Sequence, residues 1–285
     1  MTPIFHQKYR RALLHLTIVF LQIISDLHLE APKAYDVFQI APKAPYLALL
    51  GDIGCLTRDF DDYTNFLLVQ LGQFKTVFLL LGNHEPYHSS WSTVKESMAR
   101  FQENVKARQE TGETLGEFVL LDRTRFDIDV GDDQVTILGC TLFSNIPPES
   151  HDHVSLRLND FYYIEKWEVE KHNEEHQRDV QWLSSQLEEL RGSARKVVVL
   201  THYSPTTDSR AKDPRHSKSP IEAAFATDLH DSPMWQNETV KLWAFGHTHY
   251  NCDFEDDLGK RLYTNQRGYY FSQAAGFDST RVIQV

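Results

Sequence analysis

The side chains best suited to chemistry stand just past the ends of apolar runs. Ile18 to Ile24 leads to Asp26 and His28, and Tyr46 to Leu50 leads to Asp52. Val77 to Leu81 leads to Gly82, Asn83, His84 and Glu85. Val197 to Leu200 leads to His202, and Val240 to Phe245 leads to His247 and His249. Imidazoles, carboxylates and carbonyl oxygens together suit Mn, Fe, Zn or Ni better than Ca or Cu(I). Asn83 can offer an amide oxygen to such a metal. His84 can carry a proton near neutral pH, and Glu85 beside it can hold the ring in place. One Asp-x-His or one Gly-Asn-His means little, because a lone His at a strand end is more often a core or surface residue. Five successive runs ending this way point to one shared site.

Charge-free runs of this length are buried strands of a covered sheet. In open α/β sheets, ligands gather outside the carboxyl ends of the strands. Alternation along an extended strand end places Asp26 and His28 on one side. Helical spacing joins Phe60, Tyr63, Leu67 and Leu71, then Trp91, Val94, Met98, Phe101 and Val105, then Val180, Leu183, Leu187 and Leu190. Strand and helix in alternation mean α/β layering with a largely mixed sheet. Val119 to Leu121 and Val135 to Leu142 read as further strands, with the turn Gly131-Asp132-Asp133 between them. The tail from Arg261 through Tyr269 and Phe271 to Val285 predicts antiparallel strands closing a second sheet. Asn145 to Asp160 and Ser204 to Ala223 read as long loops, of a length associated with function.

The 285 residues can bury a sizeable core, and the chain shows no repeat, low-complexity tract or linker. Residues 17–285 therefore read as a single domain, and 1–16 as a variable extension. Lys8, Arg10 and Arg11 before the run Ala12 to Ile24 imitate a secretion signal. The run is too short to span a bilayer and enters Ser25-Asp26 without a small-residue cleavage site. Three cysteines with no CxxC pair argue against a disulfide framework and favour a reducing, cytoplasmic setting. A net charge of -11 argues against broad binding to nucleic acid or an anionic membrane. It is compatible with a small anionic substrate, since bound divalent cations reverse the local sign.

The ordered set Asp26-x-His28, Gly51-Asp52, Gly82-Asn83-His84-Glu85, His202 and Gly246-His247-x-His249 resembles the calcineurin-like metallophosphoesterases from Asp26 to His249. The resemblance implies an α/β fold, a four-layer αββα sandwich of two mixed β-sheets, around two divalent or mixed-valence transition-metal ions. It implies that Asp26, His28 and His249 hold one metal and that Asn83, His202 and His247 hold the other. Asp52 would bridge both, and His84 would face the substrate without binding metal. Two metals about 3.5–4 Å apart clamp a phosphoryl group and lower the pKa of a shared water toward about 7. A hydroxide bridging the metals would attack phosphorus in line, and His84 would protonate the leaving group as general acid, with Glu85 as its orienting partner.

Gly51-Asp52-Ile53-Gly54-Cys55 lacks the Tyr of a purple-acid-phosphatase-like iron site, and Cys55 reads as a small buried residue. Leu56 and Leu81 stand where phosphoprotein phosphatases of the superfamily carry Arg, so the pair that grips a phosphomonoester dianion is absent. The expectation is a phosphodiesterase for a small nucleotide-like or other diester, with a phosphomonoesterase as the alternative. A non-catalytic interaction scaffold has no reason to keep this costly set intact. Ser204 to Lys218 carries Arg210, Lys212, Arg215, His216 and Lys218 against Asp208 and Asp213. It reads either as a solvated charge run or, since it leaves from His202, as a source of substrate contacts from Arg215 or His216. His151 and His153 read as surface residues and His176 as a core or capping His. Asn159-Asp160-Phe161 is a candidate border of the pocket, with no chemistry that demands it.

Overall fold

The apolar runs become strands because both of their faces are covered. The computed structural model describes residues 18–216 and 219–285, so the extension expected at 1–16 lies outside the described residues. In chain order the first half contains β1 (Phe20–Ile24), β2 (Tyr46–Leu50), α1 (Phe60–Leu71), β3 (Thr76–Leu80), α2 (Trp91–Glu110), β4 (Glu117–Leu120), β5 (Thr124–Val130) and β6 (Asp133–Cys140). Next come α3 (His151–Ser155), α4 (Asp160–Tyr163), α5 (Val169–Leu190), β7 (Lys196–Thr201) and β8 (Val240–Ala244). The last strands are β9 (Asp253–Glu255), β10 (Arg261–Tyr263), β11 (Gly268–Tyr269), β12 (Ser272–Gln273) and β13 (Val282–Gln284).

One sheet runs β13-β1-β2-β3-β4, the other β5-β6-β7-β8-β10-β9. β1 to β4 are mutually parallel with β13 antiparallel at the edge. In the second sheet β6, β7, β8 and β10 are parallel and the edges β5 and β9 antiparallel. Strand alternation then assigns each residue to a layer. Ala48 and Leu50 of β2 and Phe78 and Leu80 of β3 meet Ile137, Val198, Leu200 and Leu242 between the sheets. Leu47, Leu49, Val77 and Leu79 turn outward, onto Tyr63 and Leu67 of α1 and Val94 and Met98 of α2. Leu138, Val197 and Val199 turn the other way, in the same apolar cluster as Leu183 and Leu187 of α5. The layers are therefore αββα, as expected, and each fully buried Leu contributes about 1.5–3 kcal/mol.

The tail departs from expectation. β13 leaves the second sheet and pairs with β1, Leu21 opposite Ile283, which sends Ile283 into the core between the sheets. β10 joins β8 in parallel, and β11 and β12 form a separate two-stranded hairpin. β5 went unread in the sequence, although Phe126, Ile128 and Val130 alternate with Arg125, Asp127 and Asp129. The two long polar stretches are partly ordered into α3, α4 and short 3-10 turns. They share a third, small core of Ile146, Val154, Leu158, Val169 and Ala224, with Phe161, Ile221 and Phe225 against it. His176 is buried in the core, its Nδ1 2.9 Å from the Leu142 carbonyl. No helix among the described residues is long and apolar enough to cross a membrane.

Candidate dinuclear metal site

The carboxyl ends of β1, β2, β3, β7 and β8 converge on one side of the sandwich. The residues that follow them are not extended, as simple alternation had implied. Asp26, His28, Asp52, His247 and His249 all have left-handed backbones, with φ of 54°, 46°, 53°, 70° and 48°. Such conformations cost roughly 1–2 kcal/mol each outside glycine, so neighbouring strand ends must hold them. Asp26 N donates to Gly51 O at 3.0 Å, His28 N to Asp52 O at 3.0 Å, and Gly246 N to His202 O at 2.9 Å. The strand ends approach so closely that a Cβ on Gly82 would lie 2.3 Å from Asp52 Oδ1, which is why only glycine serves there.

Two donor sets lie across the strand ends, beside a third group of His28, Glu30 and His84. Donor atoms of Asp26, His28 and His249 lie within 4.8 Å of one another, as do those of Asp52, His202 and His247. His28 Nε2 is 2.9 Å from His249 Nε2, and His249 Nε2 is 3.4 Å from Asp26 Oδ1. Asn83 Oδ1 is 3.1 Å from His202 Nε2. Asp52 stands between the sets: Oδ1 is 3.5 Å from His202 Nε2 and Oδ2 is 3.9 Å from His28 Nε2. This is the placement a bridging carboxylate needs.

The residues fit a pair of cations on independent grounds. Both ring nitrogens of His247 are buried without a hydrogen-bond partner among the described residues, and burial holds that imidazole well below its usual pKa. A neutral, unpartnered ring is ready to ligate. Burial opposes charge on His202 as well, yet Asp52 beside it raises that imidazole to about 9. The negative field that would hold a proton there favours a divalent cation instead. His202 Nδ1 meets the Leu50 carbonyl at 2.8 Å, which aims Nε2 at the site.

The partner of His84 is not the one expected. Glu85 turns back under the loop, where its carboxylate accepts from the backbone N–H of Gly82 (2.8 Å), Ile53 (2.8 Å) and Asp52 (3.1 Å), and from Tyr63 Oη (3.1 Å). It binds the β2 and β3 ends together and has no hydrogen bond to the His84 ring. Glu30 takes that place, with Oε1 2.8 Å from His84 Nδ1 and 3.4 Å from His28 Nδ1. Burial disfavours charge on His84, but Asp52 and Glu30 raise it to about 9, so the ring holds a proton. The signal for Glu30 was its spacing, two residues past His28 in the same strained turn.

Asp160 was read only as a border of the pocket, without a chemical role, and it does line the cleft. Its buried Oδ1 accepts from Asn83 Nδ2 at 2.8 Å and from Tyr87 Oη at 2.7 Å, which leaves Asn83 Oδ1 facing His202. Beside these groups opens a cleft of about 380 Å³ whose lining includes Asp52, His84, His247, Arg157, Phe225 and Tyr269. Arg215, read either as part of a solvated charge run or as a substrate contact, does not line it; the side chain is exposed and pairs with Asp213 at 2.5 Å. The side chain of His216 lies outside the described residues. His151 and His153 sit on α3 away from the cleft lining.

Comparison with known proteins bears on the family and the fold. The family model for calcineurin-like phosphoesterases matches residues 22–251. An uncharacterized protein of Acanthamoeba polyphaga mimivirus is 27% identical over 273 residues, spanning 87% of this chain and 91% of that one. The phosphopantetheinyl hydrolase of Mycobacterium tuberculosis superposes with a TM-score of 0.63 at 18% identity, covering 88% of this chain and 90% of that one. A dimetal phosphatase from Danio rerio gives 0.50 at 14% identity, covering 88% of each chain. At such identities the two structures speak for the fold.

Proposed function

This chain belongs to the calcineurin-like phosphoesterase family, and from that premise we propose that it is a phosphodiesterase acting on a small, nucleotide-sized diester. Family membership itself supports a metal-dependent phosphoesterase with a dinuclear divalent site. The donor chemistry favours Mn, Fe, Zn or Ni as occupants.

The observation that carries the diester reading is the charge of the cleft. Beyond its histidines, the only Lys or Arg lining it among the described residues are Arg157 and Lys212, and Lys212 Nζ is already engaged by Glu222 Oε1 at 2.5 Å. A monoester dianion is ordinarily gripped by bidentate arginines. A diester carries one charge per phosphoryl group and needs less. A cleft of about 380 Å³ also holds more than a bare phosphate, within the range of small-molecule sites.

Two bound cations would supply charge neutralisation at the phosphoryl group and ease loss of a proton from the attacking water. The remaining work falls to the chain. Asp52 spans both donor sets, Asp160 and Tyr87 fix the Asn83 amide, and Leu50 O orients His202. Glu30 pins His84 Nδ1, so Nε2 presents its proton to the cleft and the departing oxygen. The test is kcat/KM for bis-nitrophenyl phosphate against the mononitrophenyl ester under matched Mn²⁺. The diester should be preferred. A clear monoester preference that survives Arg157→Ala would replace this reading with a phosphomonoesterase.

A further inference from the structure

We propose that Tyr269 is a further catalytic residue, whose hydroxyl donates a hydrogen bond to the leaving-group oxygen at the open nitrogen of His84. The proposal rests on the phosphoesterase reading of the site and is independent of whether the ester is a monoester or a diester.

The argument starts from the β11–β12 hairpin, which turns through Tyr270 and Phe271. Its base is stitched to the loop that presents Asp26 and His28. Arg267 N donates to Ser25 O at 3.1 Å and Gly268 N to Asp26 O at 3.0 Å. Arg267 Nη1 donates to Leu27 O at 3.0 Å. Gly268 adopts φ 74°, a left-handed turn that suits glycine. The next residue is thereby delivered over the site: the Tyr269 ring lies on His28, centroids 4.2 Å apart, and meets His249 edge-on at 4.8 Å.

The hydroxyl then falls 3.3 Å from His84 Nε2. Tyr87 stacks on the same imidazole at 4.4 Å, but its hydroxyl is committed to Asp160. Tyr269 is 42% exposed and lines the cleft, so a substrate can reach it. Since His84 Nδ1 is taken by Glu30, Nε2 is the nitrogen free to deliver a proton. An oxygen placed to accept from Nε2 lies within reach of the Tyr269 hydroxyl too, and substrate binding exchanges the Tyr269–His84 contact for two contacts to that oxygen.

In the step itself water adds its oxygen to phosphorus and the bond from phosphorus to the leaving oxygen breaks. The bond's electron pair goes to that oxygen, which takes the Nε2 proton, and a proton from the water restores His84. Tyr269 keeps its own proton throughout and stabilises charge as it builds on the leaving oxygen.

The test is Tyr269→Phe, which keeps the ring against His28 and His249. With a series of aryl esters of graded leaving-group pKa, kcat/KM should fall by about 10–100-fold for the poorest leaving groups and little for nitrophenolate. The series is run as both monoesters and diesters. A monoester preference with a steepened leaving-group dependence would sink the diesterase reading and leave this proposal standing. An equal loss across the series, or no loss, would overturn the role of Tyr269 whichever ester is preferred. A second measurement needs no turnover: ¹⁵N spectra of histidine-labelled, metal-free protein should show the His84 Nε2 signal moved in Tyr269→Phe, with those of His172 and His176 unmoved. An unmoved His84 signal also overturns the proposal.

Discussion

Two glutamates near His84 have opposite duties, and substitution separates them. Glu30→Gln should lower kcat about 10–100-fold, as loss of a partner that orients an active imidazole does. The loss should be largest for poor leaving groups, with melting temperature and metal content nearly unchanged. Elemental analysis is the control, because Glu30 also approaches His28; a matching loss of metal would assign it to that ligand instead. Glu85→Gln should instead cost about 1–3 kcal/mol of stability, since an amide NH₂ would face peptide N–H donors in a buried site. Denaturant unfolding of the two variants reads the contrast. Sequence adjacency pointed to Glu85, but the turn through Gly82, Asn83 and His84 is too tight for neighbours to face one another. The donor residues were legible because each directly follows an apolar run. Asp160 was not, because it is 77 positions from Asn83 and no local pattern spans that gap.

At the scale of elements, α5 carries a pH-dependent weakness. His172 is fully buried and accepts at Nε2 from Ser144 N at 3.1 Å. Burial, with His176 nearby, pushes its pKa down to about 3. The unfolded chain takes that proton near pH 6.5, so between the two values the unfolded state binds more protons and stability falls as pH falls. Urea unfolding should show a loss on the order of a few kcal/mol from pH 6.5 toward 3. His172→Gln, which keeps an acceptor for Ser144 N, should flatten that slope; an unchanged slope would place the acid lability elsewhere. The helix itself was plain from Val180, Leu183, Leu187 and Leu190. β5 had a readable alternation that its many charges obscured. β13 had no such signal: three residues are too few to carry a period, and their pairing with β1 joins strands far apart in sequence.

Across the whole molecule, the donor sets join the two sheets. Asp26, His28, Asp52 and Asn83 follow strands of one sheet, and His202, His247 and His249 follow strands of the other. Cations bound there should brace the sandwich, raising stability by about 2.7 kcal/mol at a hundredfold excess over Kd. Titration with Mn²⁺ should raise the melting temperature of the wild type and leave Asp52→Ala flat, since Asp52 stands between the two donor sets. Full metal content in Asp52→Ala would refute the bridging role. The sandwich was foreseeable from the order of its apolar runs, whereas the packing of two long polar stretches onto each other depends on tertiary contacts. That small core of Ile146, Val154, Leu158, Val169 and Ala224 belongs to neither layer interface. Leu158 and its neighbour Arg157 line the cleft, while the donor residues hang from strands buried elsewhere. Apart from Asp160, which ties the wall to Asn83, floor and wall can therefore drift under separate selective pressures, and a lineage can exchange one ester for another by changing two segments around a retained metal floor.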